Sequence, residues 1–158
     1  MKKFLMFILA IVISFIPGII GGFFSPMSPG ANEWYNALNQ SALTPNGWVF
    51  VWAWIILYTL LGIALFLIMN NDKTRQSKTK AYALFVSQMC LNALWSYLFF
   101  GVQFVGGALL CLVALIAVAI WMMVAFKPIS RAASYLVWPY LAWLVFALYL
   151  NGTVLLLN

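Results

Sequence analysis

The sequence predicts an all-α integral membrane protein, a single domain over residues 1–158 built as a bundle of five transmembrane helices. The first reason is composition. Of 158 residues, 66% are hydrophobic and only 6% charged, with a mean hydropathy of +1.05, whereas a soluble domain is typically about a quarter charged. The second is segmentation into five apolar runs, 4–24, 48–69, 81–100, 102–126 and 132–157, none of which contains Asp, Glu, Lys or Arg. A helix rising about 1.5 Å per residue needs roughly 20 residues to cross a hydrocarbon core, and each run is long enough. The third is charge placement. Lys2, Lys3, Lys73, Arg75, Lys78, Lys80, Lys127 and Arg131 all fall on one side of a five-span topology. The positive-inside rule makes that side cytoplasmic.

The first run follows Lys2-Lys3 but is too long for a signal-peptide core and precedes no A-x-A site, so it is expected to remain as a helix. Within it, Gly18 and Gly22 form a G-x-x-x-G, a spacing that suits close packing against a neighbour. Residues 25–47 form an outer loop, long for a connector and placed like a lid. The second run carries Trp48 and Trp52 where an interfacial aromatic belt would lie, and Trp121 of the fourth run is read in the same way. The third and fourth runs are separated only at Gly101, which predicts a tight hairpin with Gly106-Gly107 allowing close approach. The fifth run closes the bundle and leaves the C-terminus outside. The setting is that of a bacterial cytoplasmic membrane.

The same inventory removes most chemistry. There is no histidine, and the carboxylates are Glu33 and Asp72 alone. Imidazole bases, paired-carboxylate hydrolysis and metal cages are excluded, and no metal ligands or obligatory cofactor are expected. Cys90 and Cys111 lie in apolar runs without a C-x-x-C spacing and read as inert small hydrophobes. The net charge of +6 follows from topology, so no nucleic-acid partner is inferred.

What remains is a set of uncharged polar and aromatic residues inside the membrane. Gln88, Asn92 and Ser96 share one stripe of the third helix with Trp95 beside it. Phe50, Trp54 and Tyr58 form a stripe on the second, and Trp143, Ala147 and Asn151 one on the fifth. An amide facing lipid leaves donors and acceptors unpaired, so Gln88 and Asn92 must face inward. There they serve either as interhelical hydrogen bonds or as ligand contacts. Tyr58, Asn92 and Trp143 share the midplane depth, beneath the outer loop.

The runs Trp34-Tyr35-x-x-Leu38, Pro45-x-x-Trp48-x-Phe50 and Trp54-x-x-x-Tyr58 carry a resemblance that continues in Gln88-x-x-x-Asn92-x-x-Trp95-Ser96 and Pro139-Tyr140-x-x-Trp143-x-x-Phe146-Ala147-x-x-Leu150-Asn151. Together they resemble the tryptophan-rich translocator (TspO/MBR) family. The resemblance implies a dimeric five-helix protein with a pocket for porphyrins and related planar ligands under the first outer loop. It implies ligand contacts at Tyr35, Trp54, Asn92, Trp143 and Ala147, to which the stripes add Tyr58, Gln88 and Trp95. It also implies that Trp54 and Trp143 take part in light-dependent porphyrin breakdown. The family's loop pattern is broken at Gln40, Ser41, Leu43 and Asn46, which predicts a less rigid lid.

Three functions follow from this reading. The leading one is a sensory or translocator protein that binds a porphyrin, metal-free because no histidine is present to ligate haem iron. The second is an enzyme that degrades porphyrin with light and oxygen through Trp54 and Trp143, without an acid/base site. The third is a passive transporter of small apolar ligands, since no intramembrane ionisable residue is present to couple ions. The expected partners are the lipid bilayer, a porphyrin or similar ligand, and a second copy of the chain.

Overall fold

Five membrane-length helices close into a ring in the computed structural model, which describes residues 1–24, 31–72 and 75–158. Helix α1 covers Lys2–Gly22, α2 Ala31–Ala37, α3 Gly47–Met69 and α4 Arg75–Ser96. Beyond α4 the chain continues as a π-helical turn, Tyr97–Gly101, followed by α5 Val105–Phe126, α6 Arg131–Leu136 and α7 Trp138–Leu157. The order around the ring is α1, α3, α7 with α6 beneath it, α5 and α4, which returns to α1. Lys73, residues 25–30 of the outer loop and the side chain of Arg75 lie outside what is described.

Side-chain hydrogen bonds identify the two ends. At the basic end, Asn71 Nδ2 donates to the Ile129 carbonyl at 2.9 Å, joining the α3–α4 connection to the α5–α6 turn. There too the Lys78 ammonium donates to the carbonyls of Met69 and Asn71, satisfying acceptors left over at the end of α3. At the opposite end, the segment after α2 meets the last residues of α7.

Lipid is as apolar as leucine, so hydrophobicity does not distinguish the inside of such a bundle from its outside. Large apolar side chains accordingly cover its surface, among them Leu110, Trp48, Trp52 and Trp121. The three tryptophans face outward as an aromatic belt requires. Cohesion comes from close approach and polar pairing. A Cβ built on Gly62 would stand 2.7 Å from Ile11 Cδ1, 2.8 Å from Ser14 Oγ and 3.0 Å from Ile11 Cα, so α1 lies directly on the α3 backbone. Ser14 Oγ at this contact is 2.7 Å from the Ile11 carbonyl and 2.8 Å from the Tyr58 carbonyl, sharing its one proton between them. Gly18 faces the Tyr58 ring and Gly21 the Ser96 side chain. Among the described residues a Cβ on Gly22 would meet nothing within 4 Å, so there the expected G-x-x-x-G makes its contact through Gly18, with Gly21 and Gly62 as further close approaches.

Three further expectations are corrected. The outer loop contains a helix, α2. The α4–α5 hairpin turns through 102–104, where Gln103 takes the left-handed backbone (φ 57°), and not at Gly101 alone. Gly107 makes room for the Phe104 ring of its own turn, so it is not a helix–helix contact. The third span also starts earlier than expected and the fourth later, as Lys78–Gly101 and Val105–Phe126, while the last runs from Arg131 to Leu157. That last span is broken at Val137. Pro139 lacks the N–H that would bond the Tyr135 carbonyl, and its ring clashes there. Cys111 is buried, with Sγ 3.4 Å from the Leu91 carbonyl, whereas Cys90 is exposed on the outer face.

Contact at the α3 backbone makes Gly62→Val the informative substitution. It is expected to destabilise the bundle by about 1–3 kcal/mol, the usual cost of overpacking. Gly22→Ala is expected to be neutral or mildly stabilising, since it relieves only glycine's helix penalty. Thermal unfolding of the two variants in the same detergent checks the contrast.

Candidate functional site

Four of the polar residues inside the membrane form one continuous row. Tyr58 Oη on α3 donates to Asn92 Oδ1 on α4 at 2.7 Å, and Asn92 Nδ2 donates to Tyr140 Oη on α7 at 3.1 Å. Tyr140 Oη in turn donates to Gln88 Oε1 at 2.8 Å. All four residues are buried, Gln88 and Tyr140 completely. The row runs donor to acceptor throughout and ends on a donor: Gln88 Nε2 is buried and, among the described residues, has no hydrogen-bond partner. Such an orphaned group costs about 1–3 kcal/mol of desolvation.

Aromatic rings flank this row. Trp54 stacks on Tyr58 with centroids 5.2 Å apart and planes at 23°, and its edge meets Tyr140 at 6.5 Å. Trp143 has different neighbours. Its ring contacts Phe50 at 5.8 Å and Phe146 at 5.6 Å. It also lines a groove of about 480 Å³ between α3 and α7, with Ala53, Leu57 and Pro139 among the walls. The expected meeting of Trp54, Asn92 and Trp143 therefore divides. Trp54 joins the Tyr58–Asn92 row, while half-buried Trp143 stands at the edge of α7's inward face. Ala147 is half-buried against the main core.

Towards the outer end lies a second aromatic group. Trp95 Nε1 donates to Asn151 Oδ1 at 3.2 Å, and Asn151 Nδ2 donates to the Val105 carbonyl at 3.1 Å, linking α4, α7 and α5. Trp95 stacks on Phe99 at 5.6 Å. Phe99 also meets Trp34 and Tyr35 of α2, at 5.6 and 6.3 Å, and Tyr35 packs on Phe100 at 5.6 Å. Phe99 and Phe100 reach α2 because the chain winds wide here, with the Val102 N–H bonding the Tyr97 carbonyl at 2.9 Å, five residues back. Burial pushes the Tyr35 phenol above its ordinary pKa, so it stays protonated and able to donate.

Three contributors are absent from the expected site. Tyr140 appears in the sequence motif but not among the expected contacts, although its spacing to Ala147 and Asn151 places it on their helical face. Phe99 and Phe100, four residues after Trp95 and Ser96, continue the stripe of the third helix on an α-helical count, but as apolar residues in an apolar run they carry no polar signal of their own.

Hydrogen bonds fasten the segment that follows α2. The Asn39 backbone N–H donates to Asn158 Oδ1 at 2.9 Å, and Asn158 Nδ2 donates to the Asn39 carbonyl at 3.1 Å. Ser41 Oγ and Tyr149 Oη lie 2.9 Å apart, and Gln40 Nε2 donates to the Tyr35 carbonyl at 2.7 Å. Gln40 and Ser41, where the family's loop pattern is broken, thus supply two of these hydrogen bonds. Asn158→Ala is expected to raise amide exchange across 38–44 by about fivefold or more, the equivalent of about 1 kcal/mol for one net hydrogen bond, with α3 and α5 unchanged. Hydrogen–deuterium exchange with peptide resolution reads this directly.

Comparison with known proteins agrees with this architecture. The TspO/MBR family model matches residues 9–157. A tryptophan-rich protein TspO of Archaeoglobus fulgidus is 38% identical over 141 residues, covering 89% of each chain. Another, from Chlorobaculum tepidum, is 34% identical and covers 99% of this chain and 98% of its own. The translocator protein of Sus scrofa is 33% identical over 148 residues, covering 92% and 87%. With nearly its whole length matched, this five-helix membrane chain belongs to the TspO/MBR family.

Proposed function

We propose that the protein is a tryptophan-rich sensory or translocator protein whose ligand is a planar, largely apolar tetrapyrrole, bound without a metal beneath α2. One observation carries this reading: stacked aromatic rings stand beside a buried amide donor, Gln88 Nε2, that lacks an acceptor among the described residues. Aromatic faces supply stacking and apolar burial to a flat ring system. A ligand nitrogen or carbonyl oxygen relieves the orphaned N–H. In this proposal Tyr35, Trp54, Tyr58, Gln88, Trp95, Trp143 and Ala147 contact the ligand. Asn92, with both amide atoms engaged by tyrosines, holds the contacting helices in place.

Protoporphyrin titrated into the purified protein in the dark, followed by tryptophan fluorescence, tests the reading. Saturable quenching supports it, and its absence overturns it. Gln88→Met is expected to lower affinity by about 0.5–1.5 kcal/mol, the net worth of one hydrogen bond. Ala147→Phe fills space on the same side of α7 and is expected to weaken binding about tenfold, or about 1.4 kcal/mol. Asn92→Leu behaves differently. It is expected to cost about 0.6–2 kcal/mol of stability, read from the melting temperature, because two tyrosine hydroxyls lose their bridge.

Repeating the titration under light separates binding from breakdown. Trp54 touches both tyrosines of the row, an arrangement that suits transfer of oxidising equivalents. Oxygen-dependent bleaching that disappears in Trp54→Phe or Trp143→Phe identifies a degrading enzyme, with molecular oxygen as the oxidant. Bleaching indifferent to both leaves a binding protein. We also propose a cytoplasmic N-terminus and an external C-terminus, because Lys2, Lys3, Lys78, Lys80, Lys127 and Arg131 gather at one end. A reporter fused after Asn158 that is active only in the cytoplasm overturns that orientation.

A further inference from the structure

A second cavity lies far from the aromatic site, on the outer face of the bundle at its basic end. It is a groove of about 860 Å³ between α4 and α5, half open to the surroundings. Helix α4 supplies Lys80, Ala83 and Leu84, α5 supplies Trp121 and Ala125, and the α5–α6 turn supplies Pro128. Among the described residues the lining is apolar along its length and carries a single charge, Lys80, which sits near the start of α4.

Three features define what fits. The groove faces the hydrocarbon of the bilayer, so its apolar length suits an acyl chain. Its charged end lies at headgroup level, where exposed Trp121 marks the interface. The charge is available: Lys80 is exposed, whereas its neighbour Lys78 is committed to the carbonyls at the end of α3. Lys127 and Arg131 are exposed on the turn beside the groove, and neither Glu33 nor Asp72 contributes to its lining. The field at this end is therefore positive.

We propose that this groove binds one phospholipid with an anionic headgroup, its phosphate at Lys80 and one acyl chain along the Leu84–Trp121 wall. Zwitterionic lipids offer the same tail but a headgroup whose own cation opposes Lys80. Selectivity accordingly comes from the headgroup and retention from the tail. The site is independent of the tetrapyrrole reading, because no residue is shared.

The test uses the full chain in detergent, presented with phosphatidylglycerol or phosphatidylcholine of identical acyl chains, with bound lipid counted by native mass spectrometry. The wild type is expected to retain phosphatidylglycerol preferentially. Lys80→Gln is expected to reduce that preference about fivefold, the equivalent of about 1 kcal/mol per surface cation, while Lys80→Arg keeps it. Ala125→Trp, which narrows the groove and leaves the charge, is expected to lower retention of both lipids. Unchanged melting temperatures confirm that the variants are folded. Equal retention of the two lipids by the wild type overturns the proposal, as does a preference that survives Lys80→Gln. A chain dimer that dissociates in Ala125→Trp without any lipid selectivity also overturns it, and assigns the groove to a second copy.

Discussion

The bundle depends on the hydrogen-bonded row Tyr58–Asn92–Tyr140–Gln88. In a bilayer, the usual reason for helices to assemble is missing, because a leucine gains nothing by leaving lipid for protein. Packing and polar pairing must do that work. The row ties α3, α4 and α7 at mid-membrane, and Ser14 extends the connection to α1 through the Tyr58 carbonyl. Asn151 repeats the device nearer the surface by joining α4, α7 and α5. Every long helix is thus attached to another by a polar contact that lipid cannot replace. Glycine at 18, 21 and 62 lets α1 come close enough to α3 and α4 for those contacts to form.

The same interaction shapes the site. A row that is polar along its axis and flanked by tryptophans is an unusual interior for a membrane bundle. It is stable because nearly every donor finds an acceptor. Among the described residues its one unsatisfied atom is Gln88 Nε2. Under the proposed function, cohesion and ligand recognition would use neighbouring side chains of one row, with Asn92 on the cohesive side and Gln88 on the receptive side.

Much of this was legible in the sequence. The five spans follow from length and the absence of charge, and the inward direction of Gln88 and Asn92 follows from the cost of an amide in lipid. The 88–92 spacing placed both on one stripe, which is where the structure has them. Trp143 was harder, because its depth was legible but its angular position on α7 was not. Tyr140, one turn earlier, holds the inward position instead. The break at Val137 has a visible cause in Pro139. Gly62 escaped notice because a lone glycine in an apolar run looks like any other until its neighbour is known. The lid ties depend on Asn39 and Asn158, 119 residues apart, and no local pattern relates such a pair.

The wide turn at Tyr97–Gly101 has a consequence for how the chain is phased. An α-helix advances each side chain by about 100°. A π turn absorbs an extra residue and so resets the angle of everything beyond it. Before the turn, α4 addresses the bundle interior through Gln88, Asn92 and Trp95. Within it, Phe99 and Phe100 meet Trp34 and Tyr35 of α2. Because both phenylalanines belong to the turn itself, removing one residue between Ser96 and Gly101 would take away part of the surface on which α2 rests. The outer aromatic layer therefore depends on the length of the turn as well as on its side chains.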